Sequence, residues 1–186
     1  MSKRLFVIDE TQLLLELKSE TKKNAAFKTL LALYKERLYW HIRNIVKSHD
    51  DADDVLQNTY IKIFRNIDTF KGDSKLFSWM YRIATNESIT FLNKKAKRLQ
   101  ITNEDVQQLA LNNLKSDVYF EGTDIQLKLQ NAIATLPAKQ QLVFNMKYFE
   151  NLKYKDLSEI LETSEGALKA SYHIAVKKIE AYLTQH

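Results

Sequence analysis

"DDADDVLQNTYIKIFRNIDTF", residues 50–70, sets four aspartates into five positions ahead of a run with helical period. Ala52, Val55, Leu56, Tyr60, Ile63, Phe64 and Ile67 recur at three- and four-residue steps, which predicts a helix burying one stripe. Carboxylates at a helix N-terminus accept orphan backbone N–H groups and complement the positive end of the macrodipole. Asp51 is therefore expected as the cap and Asp54 inside the first turn, which explains one or two of the four acids. The opposite stripe holds Asp54, Gln57, Asn58, Ile61 and Arg65, with the isoleucine out of phase with the core. A solvated face with one stray hydrophobe and a binding surface both fit this pattern.

Composition narrows the fold around that helix. Three glycines and one proline in 186 residues leave too few turn formers for hairpins or tight βα units, so the expected class is all-α. A hydrophobic fraction of 45% and a charged fraction of 27% suit a globular chain with a modest core. The absence of cysteine excludes a disulfide framework and thiolate metal sites, and it fits a reducing cytoplasm. No apolar run has the length of a signal peptide core or a membrane span, so no membrane insertion is expected. The net charge of +5 is unevenly placed: +7 over residues 1–98, −3 over 99–123 and +1 over 124–186. A polyanionic partner is thus expected mainly for the first half.

Periodicity divides the chain in the same way. The first half reads as four helices: "DETQLLLELKSE" capped by Asp9, residues 24–49, the aspartate-led helix, and one from about Ser74, its expected cap. In the second of these, Phe27, Leu30, Leu31, Tyr34, Leu38 and Ile42 share one side. Residues 99–123 are acidic, amide-rich and without sustained period, and read as a linker with room for a short helix. Helices are expected at about 124–135, 138–149, 153–161 and 164–184. The architecture is two small helical domains, 1–98 and 124–186, joined by that linker.

Two further stretches carry chemistry. Residues 79–98 present Trp79, Tyr81, Arg82, Asn86 and Phe91, then Lys94, Lys95, Lys97 and Arg98 within five positions. Aromatic walls, an amide and a basic end suit melted nucleic acid, and four cations exceed what a helix dipole calls for. Residues 154–179 read as a helix, a short turn capped by Ser164, and a second helix. Leu157, Ile160, Leu161, Leu168, Tyr172 and Ala175 point inward, and Lys155, Glu165, Lys169, Ala170, His173 and Lys177 outward. That is a helix-turn-helix, whose second helix would meet base edges, although the pattern by itself also describes any two packed helices. His41, His49, His173 and His186 are scattered, and three glycines cannot build a phosphate loop. No catalytic site, metal, cofactor or small-molecule substrate is expected.

Taken in order, these stretches resemble a bacterial RNA polymerase sigma factor of the sigma-70 family, in its small extracytoplasmic-function group. "DADDVLQNTYIKIFRNIDTF" is similar to the core-polymerase-binding helix, "WMYRIATNESITFLNKKAKR" to the promoter-melting and −10-reading helix, and "YFENLKYKDLSEILETSEGALKASYHIAVKKI" to the −35-reading helix-turn-helix. The resemblance implies that Asp53, Asp54, Gln57, Asn58, Ile61 and Arg65 dock on core RNA polymerase. It implies that Phe70, Lys71, Gly72, Asp73, Ser74 and Lys75 form a loop capturing a flipped −10 base beside Tyr81, Arg82, Ile83, Ala84 and Asn86. Lys94, Lys95, Lys97 and Arg98 would hold promoter phosphates. Lys155, Ser164, Glu165, Gly166, Lys169, Ala170, His173 and Lys177 would meet the −35 element. An anti-sigma factor is a further implied partner.

Departures from the family pattern are informative. Asn58 stands where Glu is frequent, and Glu162 where Gly commonly eases the helix-turn-helix turn. Ser171, Ile174 and Val176 stand where arginine is usual, which predicts weak −35 binding. The alternative from another class is a degenerate homologue that docks on polymerase or an anti-sigma partner without selecting promoters.

Overall fold

A computed structural model describes residues 10–102, 105 and 124–185, and among these every regular element is helical. Helix α1 spans Glu10–Leu17, α2 Lys23–Val46, α3 His49–Asn66 with a 3₁₀ turn at Ile67–Thr69, and α4 Leu76–Leu99. After the linker come α5 Asp124–Ala134, α6 Ala138–Tyr148, α7 Tyr154–Leu161 and α8 Glu165–Gln185. These bounds follow the expected ones closely, because amphipathic period and packing decide helix position where turn residues are few. Asp9 and most of the 99–123 linker, with its expected short helix, lie outside the described residues.

Helix ends show how the chain manages without glycine. Lys47, Gln100 and Glu162 end their helices at positive φ, 62°, 55° and 50°, and Asn151, in the connection after α6, is at 51°. At Gln100 the backbone closes as a Schellman-type cap, with Ile101 N–H donating to the Ala96 carbonyl at 3.1 Å. The cap of α3 is Ser48, in extended conformation, whose hydroxyl accepts from Asp51 N–H at 3.4 Å. The expectation for Asp51 is thus corrected. The left-handed end of α2 at Lys47 sets where α3 can begin, and Asp51 falls in its first turn. Ser74 likewise is not the cap of α4. Lys75 holds that position, and the Glu10 carboxylate of α1 accepts from Leu76 N–H at 3.1 Å.

In the first domain α2, α3 and α4 pack against one another and α1 lies on α2. Ala52, Val55, Leu56, Ile63 and Ile67 are buried as expected, Tyr60 and Phe64 half-buried. In the second domain α5, α6 and α7 surround α8. Its own cluster is small: Ala132, Ile133, Leu136, Phe144, Ala175 and Ile179. Its other buried apolar residues, Val143, Met146, Leu152, Leu157, Ile160 and Leu168, belong to the core of the first domain. Helix α7 lies against α4, so the two domains share one apolar seam.

Candidate nucleic-acid and protein interfaces

The outer face of α3 is polar and acidic around one exposed isoleucine. Asp53, Asp54, Gln57, Asn58 and Arg65 are exposed, and Ile61 among them is 49% exposed. The acids do not all share this face. Asp51 is drawn inward and accepts from Lys95 of α4 at 2.5 Å, which ties the acidic turn to the basic end of a neighbouring helix. Lys62, flanking the face, donates to Glu87 of α4.

Helix α4 divides its predicted groups between core and surface. Tyr81 is buried against Phe77 (ring centroids 4.2 Å apart) and His41 (4.4 Å), and its hydroxyl donates to the Arg37 carbonyl at 3.3 Å. Burial, and next the nearby Glu150 carboxylate, push that phenol well above its ordinary range. Ala84 is buried, Ile83 half-buried and Asn86 exposed. Trp79 packs on Phe70, which is itself buried at the head of the predicted base-capturing loop. Lys71, Gly72 and Asp73 are exposed beyond it, Ser74 is half-buried, and Gly72 adopts φ 86°. Lys94, Lys97 and Arg98 face outward, while Lys95 lies over the Phe91 ring as well as against Asp51.

In the helix-turn-helix, Leu157, Ile160, Leu168 and Ala175 are buried and Leu161 and Tyr172 half-buried. Ser164 caps α8, its hydroxyl accepting from Ala167 N–H at 3.3 Å. Lys155, Glu165, Gly166, Lys169, Ala170, His173 and Lys177 are all exposed. Lys169 is 3.9 Å from Glu165 one turn away and 5.5 Å above the Tyr154 ring. Of the three positions lacking arginine, Val176 packs on the domain's own core, Ile174 is 44% exposed, and Ser171 lines the cleft between the domains.

Polar bonds cross that cleft at residues the sequence did not single out as a group. His41, fully buried on α2, has Nδ1 3.0 and 3.1 Å from the Glu150 carboxylate oxygens and Nε2 2.9 Å from Thr85 Oγ1. The Thr85 hydroxyl donates to the Tyr81 carbonyl at 2.8 Å. Asn145 Nδ2 donates to the Asn44 carbonyl at 3.1 Å. Lys75 donates to Asp156 at 2.6 Å, and Arg82 Nη1 to Glu162 at 2.8 Å. The Asp156 bond and charge hold the Lys75 ammonium above its ordinary range. The partners that join the two domains stand 80 to 109 residues apart. Local pattern gives no signal for them, except that Glu162 occupies a turn where a glycine is easier.

Residues 30–98 match the family model for sigma-70 region 2, and residues 126–179 that for sigma-70 region 4. The ECF RNA polymerase sigma-E factor of Haemophilus influenzae is 26% identical over 165 residues, spanning 83% of this chain and 86% of that one. The ECF RNA polymerase sigma factor SigW of Bacillus subtilis is 27% identical over 157 residues, spanning 80% and 83%. Among solved structures, CnrH in complex with the cytosolic domain of CnrY superposes with a TM-score of 0.68 at 19% identity, covering 95% of this chain and 97% of that chain. The sigma factor RpoE in complex with the anti-sigma factor NepR, from Bartonella quintana, gives 0.64 at 20% identity, covering 85% and 96%. At those identities the likeness is one of fold.

Proposed function

The chain belongs to the sigma-70 family, in its extracytoplasmic-function group, and from that premise we propose that it is a promoter-specificity subunit of bacterial RNA polymerase. It binds core polymerase, recognises −10 and −35 elements and directs initiation, without a catalytic step of its own, in the cytoplasm. The observation that supports this best is the order of three surfaces along one chain. An acidic face with an exposed Ile61 comes first, then a helix with a basic end, then an outward-facing helix-turn-helix.

Each surface has a physical task. The α3 face, with Asp53, Asp54 and Ile61, offers charge and one apolar anchor to a basic protein surface. On α4, Asn86 offers an amide to an unstacked base, and Lys94, Lys97 and Arg98 hold phosphates of either strand. At the start of α8, Glu165, Lys169, Ala170 and His173 are placed to meet base edges in a major groove. We take residues 1–98 as the polymerase-binding and −10 domain, 99–123 as linker and 124–186 as the −35 domain. Both structural neighbours hold a partner chain, and one of those partners is named an anti-sigma factor. A partner of that class is proposed for this chain too. Docking without promoter selection is the weaker reading, since Asn86 on α4 and Glu165, Lys169, Ala170 and His173 on α8 are all exposed and free to meet bases.

Run-off transcription tests the proposal: core polymerase, the full chain and fragmented genomic DNA should yield transcripts from discrete sites. Transcripts no different from those of core polymerase alone would refute it.

A further inference from the structure

We infer that the cleft where α6 meets α2 and α4 is a binding site for a small, flat, apolar molecule with one N–H donor, the size of a fused bicyclic heteroaromatic. None of the residues lining it belongs to the surfaces assigned above to polymerase or promoter DNA.

The cleft has a buried floor and an open mouth. Ile45 of α2 and Leu92 of α4 are both buried, and Leu142 of α6 is half-buried with them. Ile89 of α4 and Ala138 of α6 are exposed and form the mouth. An apolar cavity of about 150 Å³ already takes up benzene. This one, of about 230 Å³, has room for a second fused ring.

Asn145 of α6 supplies the polar observation. It lines the cleft, is 3% exposed, and donates from Nδ2 to the Asn44 carbonyl at 3.1 Å. That bond fixes which way round the amide stands, because turning it over would set its oxygen against the Asn44 oxygen. Oδ1 is left as an acceptor, and it has no hydrogen-bond partner. The other buried amide of the lining, Gln141, donates from Nε2 to the Leu136 carbonyl at 2.8 Å. A buried acceptor without a donor costs stability, and native chains leave few of them. Water answers this poorly, since an ordered water needs about two to four polar partners and these walls are mainly aliphatic. A molecule that brings one N–H and is otherwise apolar satisfies the oxygen and fills the space. An anion is disfavoured, because the acceptors Asn145 Oδ1 and the Asn44 carbonyl both repel it.

The site also links the two domains. Ile45 and Leu92 come from the first, Leu142 and Asn145 from the second, so a molecule held there touches both. By mass action it stabilises the arrangement in which they touch. The cleft is therefore an entry point for a small-molecule effector, independent of any protein partner.

Isothermal titration of the full chain with indole tests the site. Benzofuran, with the same shape and an ether oxygen in place of the N–H, is the comparison. Indole should bind with a dissociation constant on the order of 0.1 mM, and benzofuran about tenfold more weakly for want of one hydrogen bond. The Asn145 side-chain amide resonance should move on adding indole. Asn145→Leu should bring the two affinities together. Because that change also breaks the Asn44 bond, Ala138→Trp at the exposed mouth is paired with it. This variant should keep the wild-type helical circular dichroism and lose both ligands. No binding of indole at millimolar concentration, equal affinity of the wild-type chain for both compounds, or undiminished indole binding by Ala138→Trp would each overturn the proposal.

Discussion

The two domains differ in how much of their burial each supplies for itself. The first packs Leu17, Leu30, Ile42, Ile63, Leu76 and Met80 into a core drawn from all four of its helices. It cross-links its surface with Lys23–Asp68, Lys62–Glu87 and Lys95–Asp51. Among the described residues the second has six buried apolar side chains in a cluster of its own and places as many again against the first domain. It is also near neutral, where the first is strongly basic. The comparison teaches that the helix-turn-helix is the dependent partner. Its Leu157, Ile160 and Leu168 need an apolar surface to lie on, and any surface that replaces α4 has to provide one.

Breaking the seam gives the largest expected effect. Leu157→Ala removes a fully buried side chain from the shared core and should cost about 2–5 kcal/mol in urea unfolding followed by circular dichroism. Because the seam couples the domains, one transition should split into two, with the second domain unfolding first. A single transition with an unchanged midpoint would show that the second domain does not lean on the first.

The first domain's outer face should behave in the opposite way. Asp54→Arg with Ile61→Glu should weaken binding to core polymerase by on the order of 100-fold, as loss of an interface anchor does. Its melting temperature should stay within a degree or two of wild type, since both side chains are exposed. Surface plasmon resonance on immobilised core, beside a thermal melt, measures both. Wild-type affinity in the double variant would remove α3 from the interface.

Lys47, at the left-handed end of α2, sharpens the comparison by pH. Burial, and then the charge of Arg43, lower its pKa to about 7 from the ordinary 10.5. Between those values the unfolded chain holds a proton that the native chain has released. Stability from this group therefore rises with pH from about 7 to about 10.5, and is lowest where both forms are protonated. Lys47→Met should stabilise the protein at pH 7 by on the order of 1–2 kcal/mol and flatten that rise. Denaturant titrations at pH 6.5 and 9 show whether the slope is present and whether the variant lacks it.

The smallest effect concerns the near-neutral second domain. Ile174, exposed where the family usually has arginine, can accept a cation without loss of packing, whereas Val176 lies on the domain's core. Ile174→Arg should add about one phosphate contact, steepening the salt dependence of holoenzyme binding by roughly 0.9 in log K against log salt. The preferred −35 base pairs should not change. A shift in preference would place residue 174 among the base-reading groups.

Much of this fold was legible in the sequence, for a physical reason. With three glycines and one proline, amphipathic period alone places the helices, and all four helices of the second domain begin and end within about one residue of expectation. Caps were less legible. Four neighbouring carboxylates made Asp51 look like the cap of α3, while the left-handed Lys47 upstream handed that place to Ser48. The exposed face with Ile61 was visible as a break in phase. His41 looked like one of four scattered histidines, because its partner Glu150 lies 109 residues away. Closure of the domains is a long-range packing event, and local pattern holds no record of it.

The central claim is promoter opening directed by this chain, and permanganate reactivity of thymines on a promoter found by run-off transcription tests it most directly. Core polymerase with the wild-type chain should expose thymines across the −10 region, and core alone should not. Asn86→Ala should lower reactivity on the preferred −10 sequence more than on its variants. Full binding of the chain to core with no thymine exposed on any fragment would contradict the account, and would assign the protein to docking without promoter selection.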